Sequence, residues 1–218
     1  MDRQPVSTLI FDYDGTLHDS GRLYAPAFRH MYAQMVADGI APARGWDDAE
    51  INRWLGCTAE EMWREFRPDL PPEQAQKYGR MIGEWENDAL RRGEGCLYPG
   101  TEETLADLQG KGYHMVVLSN CHPSYLQAHR EAFGLDRFFD GFYAAGAYQF
   151  QPKEKIFPIL AQRHPGPFAV IGDRRHDMEV ARVHGLFSVG CRYGYGRQEE
   201  LLDASCRIDA VTQLQDIF

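Results

Sequence analysis

Acidic side chains follow two predicted strands of this chain. Asp12 and Asp14 come directly after the apolar residues 6–11. Asp173 follows a second apolar run at residues 168–171, and Asp177 lies four residues further on. Carboxylates held close together repel one another and bind protons more readily unless a cation neutralises them. Mg²⁺ takes oxygen ligands and binds one or two carboxylates together with water and phosphate oxygens. The four aspartates therefore predict a site for a hard divalent cation such as Mg²⁺.

Other polar residues also follow predicted strands. Ser119 and Asn120 end one apolar run, and Lys153 begins a helical pattern. Ligands of open parallel sheets bind beyond the carboxyl ends of the strands, so these side chains should face the aspartates. Taken alone, Asp12-Tyr13-Asp14 could be a turn, and Asp173 to Asp177 could be an acidic helix N-terminus. The repetition at several strand ends favours one shared site.

The elements that position these residues alternate along the chain. Short apolar runs predict strands at residues 6–11, 114–118, 142–145, 168–171, 187–189 and, more weakly, 207–210. Helical patterns lie between them at residues 101–109, 123–133, 153–162 and 177–184. This alternation predicts an α/β fold with a Rossmann-like three-layer core, in which helices cover both faces of a parallel sheet.

Residues 20–95 interrupt the alternation. They contain no convincing strand, and they hold all four tryptophans. Helices are predicted at residues 24–37, 47–55, 58–66 and 72–91, the third starting with a capping box from Thr58 to Glu61. We predict an all-α cap domain at residues 20–95, inserted into a core of residues 1–19 and 96–218. The alternative is a single compact domain with extra helices.

Composition excludes several classes of protein. The 218 residues carry a formal net charge of −9, which argues against a nucleic-acid partner. No apolar run is long enough to cross a membrane, and residues 1–11 do not resemble a signal peptide, so a cytoplasmic protein without a membrane partner is expected. The five cysteines form no Cys-x-x-Cys pair, as expected for reduced thiols. The sequence leaves both a monomer and a homodimer open.

Three motifs carry a family resemblance. The segment Phe11-Asp12-Tyr13-Asp14-Gly15-Thr16-Leu17 resembles the first motif of the haloacid dehalogenase superfamily. Ser119-Asn120 resembles the second motif, and Gly172-Asp173-Arg174-Arg175-His176-Asp177 resembles the fourth. The helical insertion is similar to the cap of the subgroup that includes phosphoglycolate phosphatases and β-phosphoglucomutase. Tyr98-Pro99-Gly100-Thr101 and Gly194-Tyr195-Gly196 also resemble segments of that subgroup. The resemblance implies a Mg²⁺-dependent phosphatase acting on a small phosphorylated metabolite.

The resemblance implies roles for the first motif. Asp12 would be the nucleophile that forms an aspartyl phosphate, and it would also bind the metal. Asp14 would protonate the leaving alkoxide and then accept a proton from water, while its backbone carbonyl would complete the metal shell. Thr16 would help to hold Asp14 and the phosphate-binding loop. Because Asp14 supplies a leaving-group proton, phosphoryl transfer is favoured over dehalogenation.

It also implies roles for the later motifs. Ser119 and the backbone of Asn120 would hydrogen-bond the phosphoryl oxygens. Asp173 would bind Mg²⁺, and Asp177 would bind it directly, bind it through water, or hold nearby groups.

The third motif departs from the common family pattern. Gln151 occupies the position where lysine precedes proline in many relatives. A lysine is needed there to offset charge on the phosphoryl group, and a shorter variant of the motif assigns that role to Lys153. Lys155 is the second candidate.

Substrate specificity is expected to come from the first connection and the cap. His18 and Arg22 are the predicted substrate-binding residues there. The predicted reaction is hydrolysis of a small phosphomonoester, either phosphoglycolate-like or a sugar phosphate. Two alternatives stay open: a sugar phosphomutase with the same core residues, and a catalytically silent binding or regulatory protein on the same fold.

Overall fold

A single parallel sheet organises the chain, of which the computed structural model describes residues 6–218. Its six strands are β1 (Thr8–Phe11), β2 (His114–Ser119), β3 (Gly141–Ala144), β4 (Phe168–Gly172), β5 (Phe187–Cys191) and β6 (Cys206–Ile208). They lie in the order β3-β2-β1-β4-β5-β6 and all pair in parallel. Phe11 at the end of β1 is in register with Val117 and Ile171, so the loops after three central strands emerge side by side.

Helices form the outer layers. Four lie between β1 and β2: α1 (Gly21–Ala37), α2 (Asp48–Asn52), α3 (Ala59–Phe66) and α4 (Pro72–Arg91). The others are α5 (Thr101–Gly110), α6 (Pro123–Phe133), α7 (Lys153–Ala161), α8 (Arg175–His184) and α9 (Leu214–Ile217), with short 3₁₀ helices at Leu135–Arg137, Ala145–Tyr148, Gln198–Leu201 and Val211–Gln213. The predicted α/β core is confirmed.

The two faces of the sheet pack in separate apolar clusters. Along β1, Leu9 and Phe11 join one cluster and Ile10 joins the other, because side chains alternate along a strand. Helix α5 covers the first face through Leu105, and α7 covers the second through Ile156. Burial on both faces explains why these strands are continuous apolar runs.

Helices α1–α4 pack around an apolar cluster of their own, and we call them the cap. Phe28 on α1 contacts the rings of Trp46, Trp54 and Phe66 with centroids 5.1–5.3 Å apart. This aromatic packing holds the short α2 and α3 against the long α1. The domain division at residues 19/20 and 95/96 stays a prediction.

Several bounds differ from the sequence predictions. Strand β1 begins at Thr8, and α2 ends at Asn52 because the chain then turns toward Gly56, whose φ is +76°. Helix α8 begins two residues earlier than predicted, since Asp177 accepts a hydrogen bond from the backbone N–H of Arg174 and caps the first turn. None of the helices in residues 6–218 has the length and apolar character needed to cross a membrane.

Candidate active site

Three aspartates converge beyond the carboxyl ends of β1 and β4. Carboxylate oxygens of Asp12, Asp173 and Asp177 lie within 4.8 Å of one another, and all three residues are buried. Asp12 and Asp173 follow adjacent strands, while Asp177 comes from the first turn of α8. The neighbouring strands therefore bring together residues that are 161 positions apart in the sequence.

Lys153 is the buried cation of this cluster. Its Nζ donates to Asp12 Oδ1 at 2.6 Å and to Asp177 Oδ1 at 2.7 Å. Burial alone would lower the pKa of Lys153, but the two carboxylates outweigh it and raise that pKa, so the ammonium form is favoured. Lys155 is exposed, so the structure brings only the first of the two candidate lysines to the aspartates.

The cluster carries more negative charge than Lys153 neutralises. Burial and then the nearby Asp177 raise the pKa of Asp12, and the same two causes raise the pKa of Asp173 to about 7. Asp12 Oδ2 and Asp173 Oδ1 are buried and have no hydrogen-bond partner in the described part of the chain. Two unpartnered carboxylate oxygens fit a hard divalent cation such as Mg²⁺, which would satisfy both.

The loop after β5 fixes the Asp173 side chain. Its Oδ2 accepts hydrogen bonds from the backbone N–H groups of Tyr195 at 2.6 Å and Gly196 at 3.2 Å. A Cβ at Gly194 or Gly196 would overlap Asp173, so only glycine allows this close approach. The sequence drew attention to Gly194-Tyr195-Gly196 by resemblance but did not reveal this role.

Asp14 lies apart from the three-aspartate cluster. Its Oδ1 accepts hydrogen bonds from Ser20 Oγ at 2.5 Å and Tyr125 OH at 2.7 Å, and it is 3.4 Å from His18 Nδ1. Burial would raise the pKa of Asp14, but the interactions with His18 and Ser20 lower it overall. The side chain of Asp14 lines a cavity between the core and the cap.

The other residues of the first connection do not line that cavity. His18 is fully buried behind Asp14, where its ring stacks on Tyr13 with centroids 5.4 Å apart. Arg22 is exposed and pairs with Asp19 at 2.8 Å, and Thr16 is buried with no partner for its Oγ1 in the described residues. The substrate-binding roles of His18, Arg22 and Thr16 stay predictions.

The cavity has a volume of about 270 Å³ and lies between the core and the cap. Asp14, Ser119 and Asn120 line its core side. Asn120 Nδ2 also donates to the backbone carbonyl of Gly56 at 3.0 Å, so one predicted phosphate-binding residue holds the cap. Helices α3 and α4 line the opposite side, including Trp63.

Arg174 forms a second contact between core and cap. Its buried guanidinium pairs with Glu200 at 3.1 Å and donates to the backbone carbonyl of Leu55. The aliphatic part of Arg174 packs against Gly56, where an added Cβ would approach to 2.8 Å. The sequence showed Arg174 only as a position inside the fourth motif.

Glu61 of the cap is held by the neighbours of Arg174. Arg175 donates to Glu61 Oε1 at 2.9 Å, and His176 Nε2 lies 3.1 Å from the same oxygen. Partial burial would raise the pKa of Glu61, but the hydrogen bond from Thr58 and the charge of His176 outweigh it and lower that pKa to about 2. An ionised Glu61 therefore strengthens this contact between cap and core.

Comparison with known proteins agrees with this architecture. Residues 9–191 match the family model for haloacid dehalogenase-like hydrolases, and because the match covers most of the chain, the chain belongs to that family. It is 26% identical to the phosphoglycolate phosphatase of Synechococcus elongatus, covering 96% of this chain and 99% of that protein. It is 30% identical to the tyrosine-protein kinase PtkA of Mycobacterium tuberculosis, covering 88% of this chain and 64% of that protein.

The fold is also similar to solved structures. A predicted phosphatase from Clostridium acetobutylicum superposes with a TM-score of 0.80 at 22% identity, covering 98% of both chains. The predicted α/β fold is thereby confirmed. Family membership confirms the prediction that the protein is a hydrolase. Its similarity to a phosphoglycolate phosphatase agrees with the prediction that it acts on phosphate esters.

Proposed function

We propose that this protein is a Mg²⁺-dependent phosphatase that hydrolyses a small phosphomonoester through an aspartyl phosphate on Asp12. The observation that carries the proposal is the buried arrangement of Asp12, Asp173, Asp177 and Lys153, with two carboxylate oxygens unpartnered among the described residues. Mg²⁺ held by these aspartates would supply the positive charge that phosphoryl oxygens need.

In the first step, a carboxylate oxygen of Asp12 attacks phosphorus, and the bond from phosphorus to the ester oxygen breaks. Lys153 keeps Asp12 oriented through its 2.6 Å hydrogen bond and offsets charge on the transferred group. Asp14 gives its proton to the departing alkoxide. The pKa of Asp14 is lowered in the protein without substrate. A phosphate dianion bound nearby would raise that pKa and so favour the protonated form of Asp14.

In the second step, Asp14 accepts a proton from water as that water attacks the aspartyl phosphate. Inorganic phosphate leaves and the Asp12 carboxylate is restored. One carboxyl group can serve both steps because the second proton transfer is the reverse of the first. The hydrogen bonds from Ser20 and Tyr125 keep Asp14 at the cavity during both steps.

The first test is release of inorganic phosphate from p-nitrophenyl phosphate in the presence of Mg²⁺. Wild-type protein should turn over, and Asp12→Asn should lose at least about a thousandfold in kcat because the nucleophile is removed. The same assay with sugar phosphates separates a phosphatase, which releases phosphate, from a phosphomutase, which forms an isomer. Wild-type protein that is inactive, or equal to Asp12→Asn, would contradict the proposal.

A further inference from the structure

The cavity between cap and core has an unusual lining for a site that receives a phosphate ester. Its cap side and walls are mainly aromatic or aliphatic, and they include Tyr24, Trp54, Met62, Trp63, Ile82 and Tyr125. Asp14 and Glu86 are its acidic residues, and no lysine or arginine of residues 6–218 lines it. The side chains around the alcohol part of a substrate are therefore two carboxyl groups and several aromatic rings.

Glu86 is the feature that the reaction at Asp12 leaves unexplained. It lies on α4, is only 8% exposed and lines the cavity. Its side-chain carboxyl group has neither a hydrogen bond nor an ion pair among the described residues. Burial, followed by the nearby charge of Asp14, raises the pKa of Glu86 to about 8. The carboxyl oxygens of Glu86 keep solvent contact in the cavity, so a largely buried carboxyl group without a protein partner is placed to bind a ligand there.

A cationic group satisfies every feature of this lining. An ammonium would pair with Glu86, and the aromatic rings that line the cavity, Tyr24 and Trp63 among them, would attract a cation through their quadrupoles. A carboxylate in the same place would lie beside the carboxylate of Asp14, could approach Glu86 only in its protonated form, and would find no lysine or arginine among the described lining residues. A neutral hydroxyl could bond to Glu86, but it would gain nothing from the ring faces.

We propose that the alcohol released by this enzyme carries an ammonium group, so that the substrate is a small phosphorylated amino alcohol. This inference rests on the proposed phosphatase function. The phosphoryl group would lie at the core end, near Ser119 and Asn120, and the ammonium would lie at the cap end, against Glu86. The cavity of about 270 Å³ limits the amino alcohol to a few carbon atoms.

Three esters of similar size and different charge test the proposal. They are 2-aminoethyl phosphate, 2-hydroxyethyl phosphate and phosphoglycolate, whose terminal groups are a cation, a neutral hydroxyl and an anion. We expect kcat/KM for the amine to exceed that for the hydroxyl ester by about tenfold or more, with phosphoglycolate the poorest substrate.

Glu86→Gln removes the charge and keeps the shape of the side chain. It should lower the ratio of kcat/KM for the amine to that for the hydroxyl ester by about tenfold. Glu84→Gln is the matched control, because it makes the same change on an exposed position of α4 and should leave that ratio unchanged. In wild-type protein, free ethanolamine should inhibit hydrolysis of p-nitrophenyl phosphate more strongly than ethylene glycol or glycolate does. Because this inhibition is measured in wild-type protein, it tests the proposal even if the Glu86→Gln variant does not fold.

The outcomes separate this inference from the function on which it rests. A preference for the hydroxyl ester or for phosphoglycolate, in a protein that hydrolyses p-nitrophenyl phosphate, would overturn the ammonium proposal and leave the phosphatase standing. An unchanged ratio in Glu86→Gln would overturn the role of Glu86. Inactivity of wild-type protein toward all four esters would overturn both proposals.

Discussion

At the scale of single residues, the proposed chemistry depends on Lys153. It is the cation that touches both Asp12 and Asp177, so Lys153→Ala should lower kcat by at least about a hundredfold. Lys155→Ala, on the exposed side of the same helix, should remain near wild type. The measurement is turnover of p-nitrophenyl phosphate at saturating Mg²⁺.

Removing Lys153 also leaves two buried carboxylates without their partner, which can cost about 3–5 kcal/mol of stability. Circular dichroism must therefore show that the variant is folded before its kcat is compared. A folded Lys153→Ala protein with near-normal turnover would remove Lys153 from the mechanism.

The residue pattern predicted part of the candidate site. Asp12, Asp173 and Lys153 were predicted because strand ends in a parallel sheet meet at one edge, and the structure brings them together. Glu86 was not predicted, since it appears in the sequence as one of several charged residues on a helix of mixed polarity. Only the packing of α4 over the cavity distinguishes it from its exposed neighbour Glu84.

At the scale of elements, local signals predicted most helices and strands. Helices α4 and α6 match their predicted bounds at both ends, because proline starts each one and Gly134 ends the second. The capping box at Thr58 forms as predicted. The contacts of Arg174 with the cap were not predictable, because they join segments about 120 residues apart whose proximity depends on the whole fold.

The position of the cap over the cavity makes the tryptophans reporters of binding. Trp54 and Trp63 line the cavity, whereas Trp85 does not. Tetrafluoroberyllate with Mg²⁺, a mimic of the phosphoryl group, should therefore change the intrinsic fluorescence by altering the surroundings of those two rings. The measurement is a fluorescence titration of wild-type protein.

Two variants assign that fluorescence change. Trp85→Phe, outside the cavity, should keep the response, and Trp63→Phe should lose much of it. The analogue could inhibit turnover without changing the fluorescence of wild-type protein. That result would show that binding at the site leaves the surroundings of Trp54 and Trp63 unchanged.

At the scale of the whole molecule, the buried acidic groups link stability to pH. The pKa of Glu86 is raised from 4.5 to about 8 in the folded protein by burial, with a contribution from Asp14. A group with a raised folded-state pKa contributes stability that is complete below its unfolded pKa and is lost as pH rises through the folded value. Glu86 should therefore make the free protein progressively less stable between about pH 4.5 and pH 8.

The comparison of wild type with Glu86→Gln isolates this contribution. The other ionisable residues that line the cavity are the same in both proteins, so the difference between the two is assigned to position 86; they are Asp14, Tyr24, Cys57, Cys121, His122 and Tyr125. Relative to Glu86→Gln, wild type should lose up to a few kcal/mol of unfolding free energy by pH 8, because each pH unit over which only the unfolded chain ionises position 86 costs about 1.4 kcal/mol. Urea unfolding at pH 5, 6.5 and 8, without Mg²⁺, measures this difference.

The exposed Glu84→Gln serves again as the control, and its difference from wild type should stay nearly constant over that range. If the unfolding free energies of wild type and Glu86→Gln changed in parallel with pH, Glu86 would be ionised at ordinary cost in the folded protein. Its carboxylate would then already have a partner or water around it. The amino alcohol proposal depends on a Glu86 carboxyl group that lacks a partner in the free protein, so this result would contradict it.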